Sequence, residues 1–103
     1  MDQLNVAPFF VSDYLSDPEM MADYLTEAMT DPNPDVFLAA IKEVAVARGM
    51  TLVAEDAGVG RESLYKSLSN GAHPRFETIL KVMRALGFKL VASAVTSEFS
   101  ENS

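Results

Sequence analysis

The chain has 103 residues, of which 49% are hydrophobic, and its net charge at pH 7 is −7. This length suits one domain with one core, and the hydrophobic content excludes an intrinsically disordered chain. There is no cysteine, which excludes disulfides, thiol nucleophiles and thiolate metal sites, and without a basic leader or a long apolar run we expect a soluble, cytoplasmic protein.

The charges are distributed unevenly along the chain. Residues 1–41 contain eight acidic residues and no lysine or arginine. All eight lysines and arginines lie in residues 42–89 beside five acidic residues, so this central part has a net charge of +3. An acidic amino-terminal part and a basic centre predict two different partners.

The beginning of the first helix is marked by Ser16, Asp17, Pro18 and Glu19. Either Asp17 is the N-cap with Pro18 at the first helical position, or Ser16 and Glu19 form a capping box. We therefore predict an amino-terminal arm over residues 1–15 and a folded domain over residues 16–95. The apolar face of this helix is predicted to consist of Met20, Met21, Tyr24, Leu25 and Ala28.

The opposite face of this helix carries Glu19, Asp23 and Glu27. No histidine accompanies them and their spacing is not that of a calcium-binding loop, so we predict no metal site here.

A second helix is predicted to begin after the prolines at positions 32 and 34, with Asn33 as its N-cap. Gly49 is predicted to end it. The residues that recur at helical spacing, and are predicted to face the core, are Phe37, Ala40, Ile41, Val44 and Ala47.

Residues 50–71 predict two short helices joined by a tight turn. Thr51 is the expected N-cap of the first helix, and Gly58 allows the left-handed turn conformation. Val59 fills the angle between the helices, and the second helix begins at Gly60 or Arg61. With the small Ala54 four residues before Gly58, this spacing predicts a helix-turn-helix, whose second helix lies in the DNA major groove. The alternative is an ordinary corner between two helices.

The outward face of the second short helix carries side chains that reach base edges or phosphates. Arg61 is the predicted base contact, most naturally to guanine, and Lys66 a phosphate contact. Glu62 either accepts from a cytosine amine or only favours the helix N-terminus. Tyr65 either touches DNA or packs against the core. The predicted DNA-binding residues are Thr51, Arg61, Glu62, Ser63, Tyr65, Lys66 and Arg75.

A final helix is predicted to end at Gly87, with Phe76, Ile79, Leu80, Met83 and Leu86 on its inner face. From residue 88 the hydrophobic period changes to that of a strand. A single strand leaves its backbone groups unpaired, so it must pair with the amino-terminal arm or with the same strand of a second subunit. The predicted dimer strand includes Phe88, Leu90 and Ala92, and residues 96–103 are predicted to be a flexible tail.

No glycine-rich phosphate loop, metal cluster or activated nucleophile is recognisable in the sequence. The single histidine, His73, lies in a predicted loop without a partner nucleophile. We therefore predict a protein that is not an enzyme and that needs no cofactor or metal.

These features together resemble the helix-turn-helix addiction-module antidotes, a family of antitoxins within the phage-repressor-like superfamily. The similarity extends over about residues 10–92. Its most specific part is the run Arg61-Glu62-Ser63-Leu64-Tyr65-Lys66, followed by Pro74-Arg75-Phe76. The resemblance implies an all-α, five-helix, λ-repressor-like domain with the short carboxy-terminal strand pairing in a homodimer.

The resemblance also implies an antitoxin that neutralises a small basic ribonuclease-type toxin and represses their shared promoter. Carried over by position, DNA contacts fall on Arg61, Glu62, Tyr65 and Lys66, and a phosphate contact falls on Thr51. The family usually has serine before the recognition helix, where this chain has Gly60. The predicted toxin-binding residues, which otherwise form a solubilising surface, are Asp13, Asp17, Glu19, Asp23 and Glu27.

Two other functions remain open at this point. One is a stand-alone repressor with no toxin partner, and the other is an interaction module whose acidic part binds a basic protein without any role for DNA.

Overall fold

The computed structural model describes residues 17–95, which are helical and contain no strand. The five helices in this part of the chain are α1 (Pro18–Met29), α2 (Pro34–Arg48), α3 (Met50–Ala57), α4 (Arg61–Ser67) and α5 (Phe76–Ala85). The predicted amino-terminal arm and the predicted tail at residues 96–103 lie outside the described residues. None of the helices in residues 17–95 is long and apolar enough to span a membrane.

The first two helices begin where the sequence predicts. A side-chain oxygen of Asp17 accepts a 2.9 Å hydrogen bond from the backbone N–H of Glu19, and Pro18 occupies the first helical turn. Asn33 caps α2 in the same way, by accepting a 2.9 Å bond from the backbone N–H of Asp35. Each cap accepts a hydrogen bond from a backbone N–H of the first helical turn, which has no acceptor within the helix. The Asp17 alternative is confirmed.

A single hydrophobic core joins the helices. α1 packs on α2, α3 packs between α2 and α5, and α4 packs on α3. At the centre are side chains that are almost fully buried: Met21, Leu25, Ile41, Val44, Leu64, Leu68, Val82 and Leu86. Their removal from water is the main stabilising contribution of the fold.

Several predicted core positions are wrong in detail. Phe76 is 68% exposed, because it is the first residue of α5 and lies at the amino-terminal end of that helix. Val82, which was not predicted, is fully buried instead. Met20 in α1 is 45% exposed. Ala47 in α2 is exposed because the buried side of that helix is centred nearer to Ile41 and Ala45 than the sequence predicts.

The predicted cap of α3 is also wrong. Thr51 lies inside α3, which begins one residue earlier, and Gly49 occupies the N-cap position without any side-chain hydrogen bond. Gly49 has a φ of 107°, so one residue both ends α2 and begins α3. A positive φ of this kind favours glycine over residues with a Cβ.

The turn between α3 and α4 has the left-handed glycine that the sequence predicts. Gly58 has φ 74° and ψ 31°. Its backbone N–H donates to the carbonyl of Glu55 at 3.1 Å, and the N–H of Val59 donates to the carbonyl of Ala54 at 3.0 Å. This pair of bonds is a Schellman motif, which ends a helix and reverses the chain.

Residues 88–95 have no regular secondary structure in the single chain. The backbone N–H of Phe88 donates to Met83 at 2.9 Å, and the side chains of Phe88 and Leu90 are half-buried against the core. Ala92 is exposed, and no segment of residues 17–95 pairs with this stretch. The predicted strand is therefore absent from the described chain, and its pairing in a dimer stays a prediction.

Candidate nucleic-acid interface

The helix α4 is attached to the core by one side and exposes the other. Leu64 and Leu68 are buried to 0% and 2% exposure. They lie four residues apart and therefore point to the same side of the helix. The side chains on the outer side are exposed and polar or charged, namely Arg61, Glu62, Ser63 and Lys66.

Two hydrogen bonds fix the carboxy-terminal end of α4. The hydroxyl of Ser69 donates to the backbone carbonyl of Tyr65 at 2.8 Å. A carboxylate oxygen of Asp35, at the start of α2, accepts from the backbone N–H of Gly71 at 3.0 Å. The second bond joins the segment after α4 to an element 36 residues away in sequence. The start of α2 thus restrains the segment that follows α4.

The amino-terminal end of α4 lacks a side-chain cap. Gly60 occupies the N-cap position with φ −72° and has no side chain to accept a hydrogen bond from the first turn of α4. The backbone there is extended, as is usual for this position, so an ordinary side chain would adopt it without strain. A Cβ added at Gly60 would lie 3.8 Å from the hydroxyl of Ser63, which is ordinary contact distance.

Tyr65 lies beside two basic side chains. The guanidinium carbon of Arg61 is 5.4 Å from the centre of its ring, and the ammonium nitrogen of Lys42 is 5.6 Å from it. Both distances lie within the range of cation–π attraction. Tyr65 is half-buried, so it packs partly against the core while its ring meets both cations.

Lys42 was missed by the sequence prediction. It lies in α2, 23 positions before Tyr65 in the printed sequence, and no spacing rule connects the two. Its place as the first base after the acidic part of the chain is the only signal that the sequence contains.

Two of the predicted DNA contacts, Thr51 and Arg75, belong to α3 and to the start of α5. Thr51 is exposed in the first turn of α3, and Arg75 is exposed at the N-cap position of α5. Within residues 17–95, neither side chain forms a hydrogen bond or ion pair with α4. Their role as phosphate contacts stays a prediction.

The acidic residues of α1 form a separate surface. Glu19, Asp23 and Glu27 are exposed on α1, whereas the carboxylate of Asp17 caps the helix. Asp13 lies outside the described residues. Among residues 17–95 no group of three or more histidine, cysteine or acidic residues is arranged to hold a metal ion. The acidic surface thus presents negative charge to solvent.

A family profile described as "Probable addiction module antidote protein" matches residues 5–94 of this sequence. The chain belongs to this antidote family. An antidote of an addiction module acts as the antitoxin, and the family therefore implies a toxin partner. A curated relative, an uncharacterized protein of Haemophilus influenzae (strain Rd), is 41% identical over 81 residues, which cover 79% of this chain and 84% of the relative. No solved structure gives a significant match.

Proposed function

We propose that the chain is the antitoxin of a type II toxin–antitoxin module, and that it neutralises a small basic ribonuclease-type toxin and represses their shared promoter. In this proposal α3 and α4 form a helix-turn-helix, and the protein is a cytoplasmic DNA-binding regulator, not an enzyme. The single observation that carries the DNA-binding part is the exposed polar face of α4, which Leu64 and Leu68 attach to the core.

Three features support the entry of α4 into the major groove. The helix is short and its outer side is free within residues 17–95, so a groove about 12 Å wide admits it. The small, buried Ala54 lets α3 approach its neighbours closely, and the turn at Gly58 sets the angle between the two helices.

Charge and side-chain type support the same interpretation. Arg61 is in the first turn of α4, where its guanidinium is suited to a bidentate contact with guanine. Lys66 is in the last turn and exposed, as a phosphate contact requires. The remaining proposed contacts are Thr51, Glu62, Ser63, Tyr65 and Arg75.

The acidic surface of α1 supports a separate site for the toxin. Glu19, Asp23 and Glu27 face solvent and belong to a part of the chain without any lysine or arginine. Such a surface attracts a basic protein and repels DNA, so the two partners are expected to bind different sides of the molecule.

A homodimer completes the proposal. Palindromic operators are bound by two-fold symmetric dimers that place one recognition helix in each half-site. We propose that residues 88–95 of two subunits pair as strands, since their backbone groups have no partner within residues 17–95 beyond the bond at Phe88.

The DNA-binding part is tested by titrating the promoter duplex with the purified chain in fluorescence anisotropy. Arg61→Ala should weaken binding by about 1–3 kcal/mol, roughly 5- to 150-fold, and relax the preference at one base pair. Arg84→Ala is the matched control, because it removes the same charge from an exposed position on α5. Absence of promoter binding by the unmodified chain would exclude the proposed repressor.

The antitoxin part is tested by co-purification with the product of the adjacent gene. We expect a stable complex with a small basic protein whose toxicity the antitoxin suppresses. A chain that binds its promoter but has no such neighbour and no such complex would be a stand-alone regulator. A chain that binds the neighbour but no DNA would be an interaction module only.

A further inference from the structure

Tyr65 of the proposed recognition helix lies beside one cation of its own helix and one cation of α2. Arg61 approaches its ring from one turn earlier in α4, and Lys42 approaches it from the middle of α2. The distances to the ring centre, 5.4 Å and 5.6 Å, are nearly equal. The charged atoms of Arg61 and Lys42 are therefore at most about 11 Å apart, the distance they would have on opposite sides of the ring.

Neither Arg61 nor Lys42 forms an ion pair within the described part of the chain. The ion pair found in residues 17–95 joins Lys81 to Glu77, at 3.7 Å. Neither Arg61 nor Lys42 has a carboxylate of residues 17–95 within that range. A polyanion bound beside both side chains would therefore gain attraction from two positive charges.

The neighbouring basic side chains contact the ring of Tyr65 and not its hydroxyl. Within residues 17–95 the hydroxyl makes no hydrogen bond, and the bond recorded for this residue is accepted by its backbone carbonyl. The ring is held in place by its partial burial against the core. A fixed aromatic face beside two long, flexible basic side chains restricts where their charged ends lie.

We propose that Lys42 of α2 belongs to the DNA-binding surface as a phosphate contact, and that Tyr65 is a positioning residue which holds Lys42 and Arg61 towards the duplex. This inference rests on the proposed DNA-binding function. Each DNA strand carries one phosphate per 3.4 Å of helix axis. Two cations at most about 11 Å apart can therefore serve a base edge and a phosphate beside it, or two phosphates of one groove.

The test is a promoter titration of the full chain at several salt concentrations. Lys42→Gln should weaken binding similarly for promoter and unrelated duplex, and should reduce the slope of log affinity against log salt by about 0.9, the loss of one phosphate contact. Lys81→Gln is the matched control, because it removes an exposed lysine charge that Glu77 already partners. We expect it to keep the slope of the unmodified chain.

Two substitutions of Tyr65 separate the ring from the hydroxyl. Tyr65→Phe removes the hydroxyl but keeps the aromatic face, and should therefore lose less affinity and less slope than Tyr65→Leu. Tyr65→Leu removes the face, and should weaken promoter binding several-fold and reduce the slope. Thermal melts show whether each variant is folded, and Lys42→Gln tests the inference without altering the half-buried ring.

The outcomes distinguish this inference from the function on which it rests. If the unmodified chain binds no DNA, the proposed repressor is rejected and the inference is rejected with it. If the unmodified chain binds the promoter while Lys42→Gln behaves like Lys81→Gln, Lys42 is not a contact and the inference alone is overturned. Equal losses in Tyr65→Phe and Tyr65→Leu would overturn the role of the ring.

Discussion

The hydroxyl of Tyr24 in α1 donates a 2.9 Å hydrogen bond to the carboxylate of Glu43 in α2. The bond joins two helices whose residues are 19 positions apart. Burial of the phenol, followed by the hydrogen bond to Glu43 and its negative charge, raises the pKa of Tyr24 to about 12. The folded chain therefore holds the phenolic proton more tightly than the unfolded chain, in which the pKa is about 10.

This pKa makes the stability of the fold depend on pH in the alkaline range. The contribution of Tyr24 is fully present below pH 10 and is lost as pH rises from about 10 towards 12, because the unfolded state releases the proton first. Tyr24→Phe should lower the free energy of unfolding by about 0.5–1.5 kcal/mol at pH 7. The difference from the unmodified chain should shrink at pH 11, as measured by urea denaturation. Tyr65→Phe removes a hydroxyl that makes no hydrogen bond within residues 17–95, so it should lower the free energy of unfolding at pH 7 by less than Tyr24→Phe does.

The left-handed turn at Gly58 should tolerate no ordinary side chain without strain. A Cβ there meets no atom within 4 Å, so the cost of Gly58→Ala comes from the backbone conformation alone. We expect a loss of about 1–2 kcal/mol in unfolding free energy. Gly60→Ser is the control for adding a side chain, since Gly60 has an ordinary φ of −72°, and it should be neutral or slightly stabilising. Equal destabilisation by both substitutions would contradict this account.

A hydroxyl at position 60 should strengthen DNA binding as well as cap α4. A serine hydroxyl there is expected to act both as an N-cap and as a phosphate donor. Gly60→Ser should tighten promoter binding about two- to fivefold, since one exposed hydrogen bond contributes about 0.5–1 kcal/mol. Gly60→Ala adds a Cβ without the hydroxyl and should give no gain in the same anisotropy titration.

The stability of the fold should depend far more on the buried Leu64 of α4 than on the exposed Leu52 of α3. Leu64 has 0% exposure, and Leu52 in α3 has 62%. Leu64→Ala leaves a cavity and should cost about 2–5 kcal/mol in unfolding free energy. Leu52→Ala deletes the same atoms at the surface and should change stability by less than about 0.5 kcal/mol. Chemical denaturation of both variants measures the contrast, and similar losses would show that α4 is not held by Leu64.

Neutralising the acidic surface of α1 should weaken toxin binding under the proposed function. The triple variant Glu19→Gln, Asp23→Asn, Glu27→Gln removes three exposed charges, each contributing up to about 1 kcal/mol. We expect slower association and an affinity lowered about tenfold or more, with less dependence on salt. The control removes three exposed acidic charges from α3 and α5 with Glu55→Gln, Asp56→Asn and Glu77→Gln. If both triple variants protect cells from the toxin as well as the unmodified chain, α1 is not the binding surface.

Local signals in the sequence predicted the helix boundaries best. Asp17 and Asn33 cap α1 and α2 as expected, because an acceptor side chain followed by proline restricts the backbone without help from distant residues. Gly58 likewise takes the left-handed conformation that its place in the pattern requires. Such features depend on a few neighbouring residues and can therefore be predicted from the sequence.

Features that depend on packing could not be predicted in the same way. Phe76 and Val82 lie about 120° apart around the helix, at opposite edges of its apolar stripe, and the contact of α5 with α3 determines that Val82 is the buried one. The approach of Lys42 to Tyr65 depends on the packing of α2 near α4, which no spacing in the sequence expresses. The predicted strand at residues 88–95 needs a partner, either the amino-terminal arm or a second chain, and neither lies within residues 17–95, so the described chain does not test its pairing.

Gly49 is the single residue between α2 and α3. A residue added or deleted there would change both the distance and the angle between α2 and α3, which would move Tyr65 away from Lys42 and Gly71 away from Asp35. The segment between α4 and α5, residues 68–75, is longer and irregular. We therefore expect that homologues differ in length in that second segment and keep the α2–α3 junction at one residue.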